Sequence, residues 1–206
     1  VPDSSPARGE ATPQSASEAT PPSLSEATPS SLSEATSPSL SGPDAELFRH
    51  VLGHYPTGVA VITAMTPNGP VGMSMNSFTS VSLAPPLVLF CPSLTSTTWP
   101  QLREAGHIAI NVLSARQEPV SRMFAAPVPD RFSKISWSSG QNGEPLFDEA
   151  LGWLECRVQA EYPAGDHTVV IAEIDRMGVH DEIAEPLVYF RGKYYAGITE
   201  AVKSAD

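Results

Sequence analysis

Basic residues are scarce in this chain: 12 Lys and Arg stand against 23 Asp and Glu, leaving a net charge of −11. Nucleic-acid phosphates are held by clustered Lys and Arg, so the balance argues against a nucleic-acid partner. A small anionic ligand needs only local donors and stays open. Cysteine is nearly absent. Cys91 and Cys156 each sit in an apolar, strand-like run, and two thiols do not make a disulfide framework, so buried free thiols are expected. No segment supplies the roughly 18 uninterrupted apolar residues of a membrane span. Near the start, Arg8 stands alone with no apolar stretch behind it, so no secretory leader is read there. The expectation is a soluble, cytoplasmic protein without a membrane partner. G-x-G-x-x-G, G-x-x-x-x-G-K-[ST] and G-x-S-x-G are all missing, which removes the usual dinucleotide, NTP and hydrolase devices. Any nucleotide chemistry must use another scaffold. His50 and His54 lie four apart on one predicted helix but lack the intervening Glu of H-E-x-x-H and a third ligand, so no metal centre is expected. His107 and His180 stand alone.

What is present falls into two regimes. Residues 1–42 are almost entirely Ser, Thr, Pro, Ala and Glu, with three tandem octapeptides: Ser17–Leu24 (SEATPPSL), Ser25–Leu32 (SEATPSSL) and Ser33–Leu40 (SEATSPSL). One Leu per unit buries too little apolar area to offset the entropy of ordering, which predicts a disordered tail. Residues 43–206 are long enough for one domain with a real core. Ser41 and Asp44 precede Leu47, Phe48, Val51 and Leu52, a capped amphipathic helix. Strands are predicted at Gly58–Thr66, Val71–Ser82 after a Pro67-Asn68-Gly69 turn, Pro86–Cys91, Ile108–Leu113, Ala150–Tyr162, Thr168–Val179 and Pro186–Arg191. Short helices are predicted near Trp99–Ala105 and Glu118–Ala125. Hairpin-linked strands with short helices between them favour a mainly β, antiparallel barrel over a doubly wound sheet.

Three segments carry residues suited to a ligand. Ser74 to Ser82 mixes hydroxyls and the Asn76 amide into a predicted strand; it suits either an edge facing water or a ligand rich in carbonyls and oxygens. Ser93 to Pro100 leads into a helix, and capping needs only one of its hydroxyls. The surplus suits a phosphate. Gly165-Asp166-His167 between two long strands reads as a turn, and also places a His beside a carboxylate able to set its tautomer.

Taken in order, Pro56-Thr57-Gly58-Val59-Ala60-Val61-Ile62-Thr63, Gly72 to Ser82, Pro85-Pro86-Leu87-Val88, Arg131-Phe132, Gly165-Asp166-His167 and Pro186 to Tyr194 resemble the flavin reductase-like FMN-binding split β-barrels. The resemblance spans about Leu47 to Tyr195. It implies a homodimer that moves hydride from NADH or NADPH to FMN, with FAD as the alternative, and serves a separate flavin-dependent monooxygenase. It also implies that Thr57, Gly58, Val59, Ala60, Ser74, Met75, Asn76 and Ser77 line the isoalloxazine and ribityl chain. Ser80, Ser96 and Thr97 would hold the phosphate, with Arg131 as its charge partner because Leu94 stands where relatives carry a basic residue. Gly165, Asp166 and His167 would face the nicotinamide, His167 as the residue nearest the chemistry. The rivals are a terminal oxidoreductase that keeps its flavin for an organic substrate, and a non-catalytic flavin- or haem-binding barrel.

Overall fold

The structure, a computed structural model, describes residues 43–180, 182 and 185–197. The octapeptide segment expected to be a tail, and Ser41 with it, lie outside the described residues. Helix α1 (Pro43–Leu52) takes in Asp44 within its first turn. Twelve strands follow in chain order: β1 (Thr57–Gly58), β2 (Ala60–Thr66), β3 (Gly69–Met75), β4 (Thr79–Leu83), β5 (Pro86–Phe90), β6 (His107–Val112), β7 (Trp137–Ser139), β8 (Pro145–Phe147), β9 (Gly152–Ala164), β10 (His167–Val179), β11 (Leu187–Phe190) and β12 (Lys193–Ala196). Two further helices, α2 (Trp99–Ala105) and α3 (Glu118–Ala125), fall where the sequence predicts them.

Seven strands form one antiparallel sheet in the order β3-β2-β6-β9-β10-β5-β4. Although β3 and β5 lie near opposite ends of that order, Met75, Val71 and Met73 pack into the same core as Val88 and Phe90. The sheet therefore curls around one interior, and Trp99 and Leu102 of α2 fill it. This is an antiparallel split β-barrel with short flanking helices. Strand β2 explains why two cores coexist. Its period of two sends Ala60, Ile62 and Ala64 into the barrel, and Val61, with Val59 just before the strand, into a second cluster with Leu113, Phe124, Phe147 and Leu187. Each fully buried side chain of the size of Ile62 or Phe90 contributes about 1.5–3 kcal/mol.

The Val71–Ser82 run does not stay one strand. It breaks at Asn76–Phe78, and its halves, β3 and β4, lie on opposite edges of the sheet. The chain is stitched at the break by Ser77: the Cys91 N–H donates to Ser77 Oγ at 2.9 Å, and the Ser77 hydroxyl reaches the Cys91 carbonyl at 3.4 Å. The long strands β9 and β10 start and end within two residues of their predicted limits. Three short strands, β7, β8 and β12, carry no pattern long enough to predict. The β7–β8 hairpin is pinned by buried Asn111, whose amide donates to the Pro145 carbonyl at 3.2 Å while its Oδ1 accepts from the Phe147 N–H at 2.8 Å. A separate three-stranded sheet, β1-β11-β12, brings the chain's last hairpin beside Thr57.

The apolar face of α1 behaves differently from its sequence expectation. Leu47, Phe48, Val51 and Leu52 do share a face, but each is more than half exposed among the described residues.

Candidate functional site

A cleft of about 860 Å³ opens between the C-terminal end of α1, the start of β1, the β3–β4 break and the β11–β12 turn. Thr57, Gly58, Asn76 and Ser77 line it together with Phe78 and Tyr189. Its volume lies within the range of sites that take a nucleotide-sized ligand. Thr57 Oγ1 is shielded from solvent and has no hydrogen-bond partner among the described residues. A buried hydroxyl left unpaired costs about 1–3 kcal/mol, so its presence in a cleft wall fits a ligand that supplies the missing partner. A second hollow of about 230 Å³ shares Asn76 and Tyr189 with the cleft and adds Val59, Ser74, Met75 and Tyr194. Behind it runs a chain of hydroxyls, Ser74 Oγ to Ser121 Oγ at 3.0 Å and Ser121 Oγ to Tyr194 OH at 2.9 Å.

The Gly165-Asp166-His167 turn joins β9 to β10, with Gly165 at φ 65°. It is clipped onto the Ser93–Thr98 loop. The Leu94 N–H donates to the Asp166 carbonyl and the Thr168 N–H to the Pro92 carbonyl, both at 2.9 Å. Ser93 also bridges to His167. Asp166 Oδ1 accepts from His167 Nδ1 at 2.8 Å, which makes Nδ1 the protonated nitrogen and leaves Nε2 facing outward. The hydrogen bond and charge of His167 hold the Asp166 carboxyl below its ordinary range. Within the loop, Ser96 Oγ accepts from the Trp99 N–H at 3.1 Å and so ties the loop to the start of α2, while Thr97 is exposed. The N-cap residue of α2, Thr98, makes no side-chain cap bond, and Ser93 Oγ is engaged with Thr95 through its hydroxyl and its N–H.

Other expected residues sit elsewhere. Ala60 points into the barrel core, 2 % exposed, so only its backbone is available to a ligand. Ser80 lies on the exposed edge strand β4, opposite Val88, and is not part of the cleft wall. Arg131 donates to the Gly72 carbonyl at 3.2 Å and lies over the Phe124 ring at 5.2 Å. It lines a separate hollow of about 390 Å³ that also holds Thr98 and Gln101, and burial lowers its pKa. Burial pushes the Cys91 thiol up, opposed by the Ser77 hydrogen bond. Cys156 is pushed up to about 12 by burial, reinforced by Asp175, Glu144 and Glu155. Neither thiol is an activated nucleophile, and among the described residues no group of His, Cys, Asp or Glu is arranged to hold a metal.

Sequence reasoning assigned no role to Tyr189, Arg191, Tyr194 or Phe78. All four reach the site by tertiary placement: the first three through the β11–β12 hairpin, Phe78 through the break between β3 and β4. The visible signal for the hairpin was its density of aromatics around Arg191-Gly192.

With this geometry in view, the family described as "Flavin reductase like domain" matches residues 52–197. A flavin reductase of Pseudomonas putida is 43% identical over 155 residues, covering 75% of this chain and 91% of that protein. The FMN reductase (NADH) SmoA of Agrobacterium fabrum is 42% identical over 153 residues, 74% of this chain and 86% of that protein. Among solved structures, the nitrilotriacetate monooxygenase component B homologue of Mycobacterium thermoresistibile superposes with a TM-score of 0.75 at 36% identity, over 79% of this chain and 92% of that one.

Proposed function

The chain belongs to the flavin reductase-like family, and from that premise we propose how its own residues carry out an NAD(P)H:flavin oxidoreductase reaction that supplies reduced flavin to a separate monooxygenase. The observation that carries the reading is the shielded, partnerless Thr57 hydroxyl in a nucleotide-sized cleft. FMN is the flavin we assign, with FAD as the alternative. When bound, the flavin accepts the hydride that the dihydronicotinamide releases, and the redox chemistry belongs to these two groups.

The protein's contribution is placement. Thr57 and Asn76 present a hydroxyl and an amide to the polar edge of the ring, while Gly58 leaves the wall open: a side chain added there meets nothing within 4 Å. Ser77 is engaged with Cys91 and acts as a rigid wall rather than a free donor. Ser96 and Thr97 take the phosphate, and Asp166 holds His167 in the tautomer that offers Nε2 to the nicotinamide nucleotide. Because the turn is clipped to the Ser93–Thr98 loop, the two ligands are registered against each other, and orientation of this kind supplies much of the rate advantage. Anaerobic mixing of the purified protein with FMN and NADH or NADPH tests the reading. Bleaching of flavin in excess over protein is expected; bleaching limited to one equivalent of tightly held flavin would mark a terminal oxidoreductase, and none at all a carrier.

A homodimer forms part of this proposal. The exposed face of Leu47, Phe48, Val51 and Leu52 supports it, since apolar side chains aligned on one helix face mark an interaction surface. Leu47→Glu combined with Val51→Glu is expected to halve the mass seen by light scattering; an unchanged mass removes α1 from the interface.

A further inference from the structure

Beside α1 lies a hollow of about 900 Å³, lined by Glu46, Leu47, Arg49, His50, His54 and Arg191, among others. Arg49, Gly53, Arg191 and Gly192 line both this hollow and the flavin cleft, so the two are continuous. We propose that this basic hollow binds the phosphates of the nicotinamide dinucleotide, with Arg49 and Arg191 as the recognising groups; the assignment rests on the flavin-reductase reading above.

Three observations carry it. In a chain of net charge −11, Arg103, Arg122, Arg157 and Arg176 are each paired with a carboxylate, whereas Arg49 and Arg191, like Arg116 and Arg131 elsewhere, have no carboxylate partner among the described residues, and only these two share a hollow. Arg191 is also held ready. Its guanidinium donates to His54 Nε2, and His54 Nδ1 in turn donates to the His50 carbonyl at 2.7 Å. These two bonds aim the arginine without setting a carboxylate against its charge. Finally, Arg191 occupies a left-handed backbone position, φ 49°, in the two-residue turn before Gly192 at φ 74°. Such turns favour Asn or Gly at their first position, so an arginine there is conformationally costly unless its side chain has a task.

The dinucleotide is favoured over the flavin as the source of the phosphate by position. The loop assigned to the flavin phosphate, Ser93–Thr98, contributes no residue to the hollow. With FMN as the flavin, its one phosphate goes to that loop, whereas the dinucleotide brings a pyrophosphate of its own. Arginine suits that group because its planar fork matches phosphate oxygens in pairs.

The test compares the full chain with Arg49→Gln/Arg191→Gln and Arg49→Lys/Arg191→Lys, all checked by melting curves. Both substitutions keep a Cβ at position 191, so the backbone strain is common to all three proteins. The Gln pair is expected to raise KM for NADH by roughly ten- to a hundredfold, as loss of charge-assisted bonds does. The Lys pair retains part of the affinity, and added salt weakens NADH binding in the parent more than in the Gln pair. Flavin reduction by N-benzyl-1,4-dihydronicotinamide, which has no phosphate, is expected to fall far less in the Gln pair than reduction by NADH; an equal fall with both donors would place the two arginines at the flavin alone and overturn the proposal. Weaker FMN binding with intact riboflavin binding and an unchanged KM for NADH would reassign the hollow to the flavin phosphate and overturn the proposal, as would no change in any ligand. If the parent protein bleaches FMN with neither donor, the reductase reading itself fails; if it does so with both and the Gln pair matches it, only the present inference fails.

Discussion

Thr57 and His167 carry opposite physical signatures, and each yields its own experiment. The Thr57 hydroxyl is buried and unpaired, so in the ligand-free protein it is a liability of about 1–3 kcal/mol. Thr57→Val keeps the shape and removes the unpaired group. The variant is therefore expected to melt higher than the parent without flavin and to bind FMN less tightly, so that FMN raises its melting temperature less. A lower melting temperature without flavin would show that the hydroxyl has a partner already. His167, half-exposed and held by Asp166, contributes little to stability because exposed pairs are screened. Its value lies in orientation. His167→Ala is expected to raise KM for NADH and slow flavin bleaching, together by a factor of about 5 to 150, which corresponds to roughly 1–3 kcal/mol. Flavin affinity and melting behaviour should stay near those of the parent. Stopped-flow bleaching against NADH concentration decides this, and an unchanged rate at every concentration takes His167 out of the site.

Elements that run long in sequence are the ones their residues reveal. Strands β9 and β10 pair over most of their length, and their apolar character persists long enough to be recognised at sight. The break between β3 and β4 is different, because both halves have strand-like composition. What divides them is the curl of the sheet, which sends β3 to one edge and β4 to the other, and the Ser77–Cys91 bonds that hold the crossing. Strands β7 and β8 have three residues each, and β8 is held in place by a buried amide 34 or more positions away, at Asn111. No local pattern announces a strand of that kind. The loop proposed to hold the phosphate was singled out on composition: Ser93–Thr98 holds more hydroxyls than a helix cap needs. That surplus is testable. Replacing Ser96 and Thr97 by Ala removes two donors worth about 0.5–1.5 kcal/mol each, somewhat more against an anion. FMN binding should weaken while riboflavin binding hardly changes; equal weakening would place the phosphate elsewhere. Because Ser96 Oγ also accepts from the Trp99 N–H at the start of α2, the Ser96 change should lower the melting temperature, and Thr97→Ala alone should not.

At the scale of the molecule, the family match covers residues 52–197, and every residue proposed to contact flavin, phosphate or nicotinamide lies inside that span except Arg49. Part of the cleft does not: Phe48 and Arg49 come from α1, just before it. The functional boundary we infer is therefore Pro43, the first residue of α1, rather than the start of the family match. Residues 1–42 offer one Leu per octapeptide and no run able to build a core. Two truncations separate these regions. Removing Val1–Leu40 is expected to leave the melting temperature, FMN affinity and NADH kinetics as they were, since no cleft residue is lost. Removing Val1–Leu52 deletes one wall of the cleft and the apolar face proposed for dimerisation, and should weaken FMN binding and lower the mass in solution. Were the shorter truncation alone to weaken flavin binding, the Ser/Thr/Pro-rich segment would belong to the working site, and composition would have misjudged it.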